Sequence, residues 1–485
     1  MLIPSLLRRS LFAALSAAIA TSAVADTAVD TLALDNVQII DTASGEIRPA
    51  RCLRIRAALI ESVHRAGAAA CLRGAARKDG QGGYVIPGLI DMHAHHTLGP
   101  LELRRERGKA VMAALADDAI AEHNGARLVA FGVTTIRNPG GDLAAARRYE
   151  ERRRNAALIG PQSYNAGPVL NNADLPGLAT KVDSVESMRQ AVERQVADGA
   201  DWIKLYTGLS PELLQAGAEA ARAHGRQSVA HLDHISWPEA LELGVDGIVH
   251  LMPTSPELLN EAQRKAWQAS ARPGTFSFFE WWEHFDPDGP EADRLLQSFA
   301  QHRPVFDATL VAFHAAFVQD QDNPYKQDAA RYAHPRLQAN WNAWFTFALG
   351  WQAEDFQRAR AVWPKIQRLA KRLYDSPARM TLGTDMSNPW IAPGISLHRE
   401  MQRLAEAGVT NDRILRAATV NAAEALGQGE RLGRIAPGFE ADLVLLRKNP
   451  LDAIEYSQAI EAVLLDGRWL DHATLQSLKA EGEGE

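Results

Sequence analysis

Between residues 85 and 429, short apolar runs alternate with helix-like segments, and this alternation constrains the fold more than any other feature of the chain. Such alternation is typical of parallel βα units. Eight runs are strand-like: YVIPGLIDMHAH, VTTIR, IGPQSYNAG, DWIKLY, QSVAH, GIVHL, RPVFDATLV and MTLGTD. Eight βα units predict a (β/α)8 TIM barrel, an α/β fold.

The helices between the runs carry recognisable end signals. Residues Asp183 to Glu186 match a capping box, and so do residues 236 to 239. Ser210 and Pro211 predict the start of another helix, which Gly225 is expected to close. These signals support the prediction of βα units.

Two strand-rich segments flank this middle region. Residues 32–62 and 434–469 consist of short strand-like stretches broken by glycine, proline and charged turns. A chain of 485 residues is too long for one simple core. The sequence therefore predicts one large domain and a smaller one.

Residues 1–25 have the three parts of a signal peptide. A basic pair, Arg8 and Arg9, precedes an apolar stretch and the small-x-small site Ala23–Ala25. The apolar stretch is short for a membrane anchor, so we predict cleavage after Ala25 and a periplasmic or secreted protein. The arginine pair matches a twin-arginine signal poorly, which leaves the export route open.

Composition argues against a nucleic-acid partner and leaves open whether the two cysteines form a disulfide. The net charge is -7 and no basic stripe is present, which argues against a nucleic-acid partner. No later apolar run is long enough to span a membrane. The two cysteines, Cys52 and Cys71, could form a disulfide in an oxidising compartment or remain thiols, and they are too few for a cysteine-based zinc site.

Polar groups end several of the predicted strands. His93 and His95 lie two residues apart and share one side of a strand, where they form either a hydrogen-bonded pair or half of a metal site. Chemistry in a (β/α)8 barrel sits at the carboxyl ends of the strands. Six polar residues fall there: His93, His95, Lys204, His231, His250 and Asp385. Their joint occurrence favours the metal site.

This constellation resembles the amidohydrolase superfamily over essentially the whole chain after residue 25. The matching motifs are VIPGLIDMHAHH, GVTTIRNPGG, GADWIKLY, SVAHLDH, GVDGIVH, TLGTD and the tail from Ile414 to Leu446. Within it, the chain looks most like imidazolonepropionase-related and Xaa-Pro dipeptidase-like secreted enzymes. The resemblance implies a barrel over residues 85–429 and a small β-sandwich domain built jointly from residues 26–84 and 430–475.

The resemblance also implies a binuclear site. His93, His95 and Asp385 would bind the more buried ion, and His231 and His250 the second. Lys204 would bridge the two as a carboxylated lysine, because a carbamate is an anionic oxygen donor whereas an ammonium group is not. Two divalent cations are expected, with zinc favoured by the histidine-rich ligands.

The chemistry expected of such a site is hydrolysis by a metal-bridged hydroxide. Asp385 is predicted to accept the proton of the attacking water and to pass it to the leaving group. Tyr206 lies two residues after Lys204 and either donates to the developing oxyanion or packs at the rim. Arg137 either binds a substrate carboxylate or pairs within the barrel.

Some residues near these motifs are expected to differ in role. His96 should point to the opposite side from His93 and His95 and support the site without acting as a ligand. Asn138 stands where relatives often have Asp, which alters hydrogen bonding around Arg137. Two aromatic segments, residues 276–289 and 340–352, either shape the pocket or pack between helices.

The main functional hypothesis is hydrolysis of amide bonds in small peptides or N-acyl amino acids. Hydrolysis of a lactone, carbamate or cyclic amide is the alternative. A deaminase is disfavoured, because the Glu that follows the strand-five histidine in deaminases of the superfamily is missing from HLDHIS. A catalytically silent binding protein would have lost metal positions, and all six are filled.

Overall fold

The computed structural model describes residues 31–106, 109–343 and 350–480, so the predicted signal peptide lies outside the described residues. The strands are β1 Thr31–Asp41, β2 Glu46–Arg56, β3 Leu59–Arg65, β4 Ala76–Asp79, β5 Tyr84–Pro87, β6 Leu89–Asp91, β7 Leu98–Glu106, β8 Lys109–Ala116, β9 Val133–Asn138, β10 Gln162–Asn165, β11 Val169–Asn171, β12 Ala179–Lys181, β13 Trp202–Leu205, β14 Gln227–Ala230, β15 Gly247–Val249, β16 Val305–Asp307, β17 Arg379–Thr381, β18 Leu443–Leu446, β19 Ile460–Leu465 and β20 Arg468–Asp471.

The helices are α1 Ala69–Leu72, α2 Asp118–Ala130, α3 Leu143–Arg154, α4 Val185–Ala197, α5 Pro211–Ala223, α6 Trp237–Glu242, α7 Glu261–Ser270, α8 Ser277–His284, α9 Pro290–His302, α10 Leu310–Phe317, α11 Pro324–Tyr332, α12 Pro335–Ala343, α13 Ala353–Tyr374, α14 Ile395–Glu406, α15 Asn411–Ala417, α16 Val420–Ala425 and α17 His472–Ala480. Short 3₁₀ turns cover Pro256–Leu258, Gly274–Phe276 and Ile454–Gln458.

The two strand-rich flanks share one eight-stranded sheet. Its order is β20-β19-β18-β5-β1-β2-β3, with β4 beside β1. β5 is the junction, since it pairs antiparallel with β18 and parallel with β1. Apolar side chains from both flanks, including Leu34, Ile39, Leu443 and Leu464, form a common core. The expected association of the flanks is therefore present at the level of the sheet.

A disulfide closes the N-terminal flank. The Sγ atoms of Cys52 and Cys71 are bonded, and both residues are fully buried against Ala33. Of the two states that the sequence left open for these cysteines, the structure has the bonded one.

The remaining parallel strands follow one another in cyclic order. β6, β9 and β10 pair in one sheet, and β13 to β17 pair in sequence in a second one. A bridge between Ala166 and Trp202 links β10 to β13. A second bridge links Ala94 to Met386, and the Met92 amide donates to the Leu382 carbonyl at 2.8 Å, which brings the end of β17 back to β6. These eight strands fall on the eight runs predicted from the sequence, although β9 extends one residue beyond its run, to Asn138, and β17 begins one residue before its run, at Arg379.

The predicted first strand, YVIPGLIDMHAH, is two strands. Gly88 separates β5 from β6, and at this point the chain leaves the flank sheet and begins to pair with β9. A Cβ atom on Gly88 would lie 2.0 Å from the Thr134 Oγ1 atom, so only glycine allows β9 to approach so closely.

Two other predictions need correction. The reciprocal cap of α4 is made by Ser184 and Ser187, one residue later than the predicted box from Asp183 to Glu186. In the predicted seventh strand, only Val305–Asp307 is extended, and the apolar run continues as α10. A short apolar run does not distinguish a buried strand from a buried helix by its periodicity.

Other helix ends agree with the sequence. Ser210 caps α5, Pro211 occupies its first turn, and Ser236 caps α6 by accepting a hydrogen bond from the Glu239 amide. Among the described residues, no helix is long and apolar enough to cross a bilayer.

Candidate metal centre

The first and last strands of the cyclic set bring three predicted ligands together. His93 and His95 follow β6, and Asp385 follows β17, with the Asp385 amide donating to the His93 carbonyl at 2.8 Å. Gly383 permits this approach, because a Cβ atom there would lie 2.6 Å from the His93 Cβ atom and 2.9 Å from Asp307 Oδ1. The two histidines and the carboxylate therefore share one end of neighbouring strands.

The nitrogens of this pair converge on one carboxylate oxygen. The Nε2 atoms of His93 and His95 lie 3.3 and 3.4 Å from Asp385 Oδ1. The Nδ1 atoms are already bonded, in His93 to Asp307 Oδ1 at 2.7 Å and in His95 to the Gly140 carbonyl at 2.8 Å. When Nδ1 carries the proton and donates it, Nε2 is left as the nitrogen that can bind a metal ion.

The other two predicted histidines are next to this group. The ring centres of His93 and His250 are 4.7 Å apart, and those of His250 and His231 are 4.3 Å apart. His250 Nδ1 bonds to Thr309 Oγ1 at 2.8 Å, and the same nitrogen is 4.0 Å from Asp385 Oδ2. His231 Nδ1 is buried and has no hydrogen-bond partner within the described ranges.

Three of these residues, His93, His250 and Asp385, lie close enough together to share a metal ion. Ligand atoms of His93, His250 and Asp385 lie within 4.8 Å of one another. Burial lowers the pKa of His93 and of His250 well below the ordinary value, and it lowers that of His231 to about 3. All three imidazoles are thus held in the neutral form that metal ions require.

Lys204 lies in the middle of these imidazoles. Its side chain is 1% exposed, and its Nζ atom has no hydrogen-bond partner among the residues that the structure describes. Burial lowers its pKa to about 7, and its charge in turn lowers the pKa of His93, His231 and His250. A buried amine without a partner is costly to maintain, so this position calls for a further group.

Two of the six residues have an unusual backbone conformation. His250 and Asp385 have φ values of 67° and 62°. Residues other than glycine rarely adopt positive φ, and such positions are concentrated at functional sites, where the surrounding structure enforces them. His250 directly follows β15, and Asp385 comes four residues after the end of β17.

Asp307, at the end of β16, is a residue of the site that the sequence analysis missed. Its two oxygens accept from His93 Nδ1 and from Arg137 Nη2, both at 2.7 Å, and both side chains of the Arg137–Asp307 pair are 0% exposed. Like the predicted ligands, Asp307 is a polar residue that ends an apolar stretch, here PVFD within the predicted run RPVFDATLV.

Arg137 accordingly takes the second of its two expected roles. Besides Asp307, its guanidinium donates from Nε to the Met92 carbonyl at 2.7 Å and lies 4.8 Å above the Trp202 ring. It therefore pairs within the fold and supports His93 through Asp307, in a buried position where we do not expect it to contact a substrate.

Tyr206 and His96 each pack against one aromatic or histidine ring near the site. The Tyr206 ring stands edge-on to His231, with ring centres 4.9 Å apart, and burial raises its pKa, so the phenol keeps its proton. His96 instead packs against Tyr149, with ring centres 4.5 Å apart, which agrees with the predicted supporting position. Asn138 accepts from the Gly140 amide at 3.3 Å and so stabilises the turn whose carbonyl holds His95.

The first aromatic segment is largely helix packing. Phe279, Trp281 and Trp282 of α8 are fully buried. The segment is linked to the site by ring contacts: the ring centres of Phe278 and Phe313 are 5.3 Å apart, and those of Phe313 and His250 are 5.9 Å apart. Of the second segment, residues 344–349 lie outside the described ranges.

The donor set fits two divalent cations. Four imidazoles, a carboxylate and a lysine amine that has no hydrogen-bond partner among the described residues surround one centre, and oxygen and nitrogen donors of this kind suit zinc and related ions. A carboxylate in contact with two imidazoles can also accept a proton. The arrangement can therefore hold metal ions and move a proton at the same place.

Comparison with known proteins agrees with this chemistry. The model of the Amidohydrolase family matches residues 355–470. The chain is 27% identical over 435 residues to adenine deaminase 2 of Agrobacterium fabrum, covering 89% of this chain and 56% of that protein. It is 39% identical over 77 residues to imidazolonepropionase of Geobacillus kaustophilus, or 16% of this chain and 18% of that one. The chain thus spans about half the length of the first relative and about a fifth of the second.

Solved structures share the fold over most of the chain. Bottromycin amidohydrolase is 23% identical with a TM-score of 0.68, and the match covers 94% of this chain and 93% of that one. A Xaa-Pro dipeptidase with bound methionine is 19% identical with a TM-score of 0.64, covering 91% of this chain and 100% of that one.

Proposed function

Since the chain belongs to the amidohydrolase superfamily, we propose that it is an exported, metal-dependent hydrolase that cleaves amide bonds of small peptides or N-acyl amino acids. The observation that carries the proposal is the buried Lys204 amine, which has no partner within the described residues and lies among four histidines at the strand ends. Packing does not require a buried amine in that position, whereas a metal-bridging group does.

The finer architecture belongs to the same proposal. Residues 85–429 would form a closed (β/α)8 barrel, which the cyclic order of β6, β9, β10 and β13 to β17 supports. Residues 26–84 and 430–475 would form the composite β-sandwich, which the shared sheet of the flanks supports. Residues 1–25 would be removed on export, and the disulfide between Cys52 and Cys71 is of a kind that persists in an oxidising compartment.

Six side chains would hold two divalent cations, with zinc favoured. His93, His95 and Asp385 serve one ion, and His231 and His250 the other. The neutral Lys204 amine would add carbon dioxide at Nζ and release one proton, and the resulting carbamate would supply anionic oxygen donors to the metal ions. When bound, the two cations activate a water molecule and polarise the substrate carbonyl.

The protein's own groups then move the proton and orient the substrate. Asp385 accepts the proton of the attacking water at the oxygen that faces His93 and His95, and it passes this proton to the leaving nitrogen. Tyr206 donates its phenol proton in a hydrogen bond to the developing oxyanion. Asp307 and Gly140 hold the two imidazoles of the His93–His95 pair in position from behind.

Deamination is the second candidate, because adenine deaminase 2 aligns over 89% of this chain. The residues after His231 count against it: Asp233 stands in the following loop, where its Oδ1 atom bonds to Nδ1 of the neighbouring His234 at 2.6 Å. Lactones, carbamates and cyclic amides remain alternative substrates of the same centre.

The proposal is tested by metal analysis of the purified protein, combined with a screen of dipeptides, N-acyl amino acids, lactones and adenine. We expect two ions per chain and turnover of an amide substrate. Lys204→Ala should hold fewer than two ions and lose activity, and small carboxylates should restore part of it. The proposal is wrong if the parent binds no divalent ion, or if Lys204→Ala keeps two ions and normal turnover.

A further inference from the structure

Helix α10 begins without a cap from its own first residue. Thr309 occupies the N-cap position with φ of 47°, and its side chain makes no capping hydrogen bond. Its hydroxyl is instead bonded to His250 Nδ1 at 2.8 Å, and the residue is fully buried. The first amides of α10 therefore need another acceptor, because water does not reach them.

Glu400 of α14 supplies that acceptor from a distant part of the chain. Its Oε2 atom accepts from the Val311 amide at 2.7 Å, and the Leu310 amide also donates to this carboxyl group. The side chain is 0% exposed, and its Oε1 atom has no hydrogen-bond partner among the described residues. A carboxylate at a helix N-terminus is favoured by the exposed amides and by the helix dipole.

Burying a carboxyl group is costly, and an apolar residue at this position of α14 would avoid that cost. Glu400 fixes the start of α10, and Thr309 at that start is hydrogen-bonded to His250. Since β16 ends at Asp307, only Ala308 separates the partner of His93 from the partner of His250. Displacement of the α10 start would therefore move the hydroxyl on which His250 depends.

We propose that Glu400 is a positioning residue for His250, acting through the first turn of α10 and the Thr309 hydroxyl. Thr309 accepts the Nδ1 proton of His250, which leaves Nε2 for the metal ion. The inference rests on the proposed function in that His250 is taken as a ligand of the second ion. It adds a residue on α14, outside the six proposed ligands, to the group that determines how tightly this ion binds.

Glu400→Leu and Glu400→Gln test the proposal. Glutamine keeps an acceptor oxygen for the Val311 amide, whereas leucine keeps the volume and removes the acceptor. Zinc affinity is measured by competition with a chelator, and we expect Glu400→Leu to weaken the second ion by about tenfold or more. Glu400→Gln should stay within about threefold of the parent, a rescue that lost packing would not produce.

Asp442→Asn serves as the matched control. Asp442 is also a buried carboxylate that accepts from one backbone amide, that of Asp466 at 3.0 Å, but it lies beside β18 in the flank sheet. The Asp442→Asn variant should change stability without changing the affinity for either ion. Thr309→Val removes the hydroxyl from the same β-branched shape, and combining it with Glu400→Leu should weaken zinc binding no further than the stronger single variant does.

A measurement without metal separates this inference from the proposed function. In protein labelled with ¹⁵N-histidine, the His250 Nδ1 proton should be protected from exchange in the parent and in Glu400→Gln, and exposed to exchange in Glu400→Leu. If zinc affinity and this proton are unchanged in Glu400→Leu, Glu400 only stabilises the helix and the inference is wrong. A parent that binds fewer than two ions would instead count against the proposed function, and the Nδ1 proton would still decide the role of Glu400.

Discussion

Replacing Arg137 with methionine tests whether the pair beneath His93 is as buried as the structure has it. Arg137 and Asp307 are both 0% exposed and 2.7 Å apart, so the variant leaves a carboxylate in a water-free site without its cation. Breaking a buried ion pair from one side costs about 3–5 kcal/mol. Methionine keeps most of the side-chain volume, so we assign this cost to the charge rather than to a cavity.

A surface pair of the same composition provides the control. Arg148 contacts Asp118 through two hydrogen bonds of 3.0 and 2.9 Å, but these side chains are 51% and 48% exposed. Arg148→Met should therefore cost at most about 1 kcal/mol. The two variants make the same substitution, and they differ in burial and in the hydrogen bond to the Met92 carbonyl and the Trp202 contact that only Arg137 makes.

The assay is urea unfolding in the presence of a chelator, so that loss of metal does not contribute to the free energy of unfolding. The double variant Arg137→Met/Asp307→Leu removes both charges and should lose less than Arg137→Met alone, because no unpaired charge is left. If Arg137→Met costs no more than Arg148→Met, Asp307 is reached by water or is protonated without penalty, and the reasoning about the buried pair fails.

Three further predictions follow from other parts of the molecule. Asp385→Asn should stay folded and lose at least about a hundredfold in turnover; a well-folded variant with both ions that works within a few-fold of the parent would place the base elsewhere. Burial raises the pKa of Asp442 to about 7, with Asp466 and Glu440 adding to the effect and Arg153 opposing it. The unfolded value is about 3.9, so the folded state keeps a proton that the unfolded state has lost, and this group's contribution to stability falls as pH rises from about 4 to 7. Urea midpoints at pH 5 and 8 should therefore differ less in Asp442→Asn than in the parent, and equal differences would contradict the assignment. N-terminal sequencing of exported protein should begin at Asp26, and a full-length cytoplasmic product would contradict the predicted signal peptide.

Much of the site could be predicted because its residues follow strand ends, where apolar runs stop at a polar side chain. His93, His95, His231, His250 and Asp385 all carry this local signal, and the structure brings them around Lys204. Asp307 carries it too, but the apolar character of RPVFDATLV continues into a helix and concealed where β16 ends.

What could not be predicted depends on contacts between distant segments. The role of Arg137 is decided by Asp307, 170 residues later, and the position of Thr309 by Glu400 on another helix. The Pro87–Gly88 dipeptide is a turn signal within the predicted first strand, but the close approach that requires glycine there depends on the side chain of Thr134 on the neighbouring strand. The predicted cap of α4 was one residue too early, since Asp183 and Ser184 are both favourable N-cap residues and the structure uses Ser184.

The junction strand β5 has a consequence for the order of events during synthesis. Pro87 pairs with Leu443, so about 350 residues must be made before β18 can join β5. At about 5–20 residues per second, the ribosome takes roughly 20 to 70 seconds to supply the missing partner. Throughout that interval one edge of the sheet, next to the strand that leads into His93, offers unpaired backbone to any neighbouring chain. We therefore expect the yield of folded protein to depend on how this edge is shielded until β18 is available to pair with it.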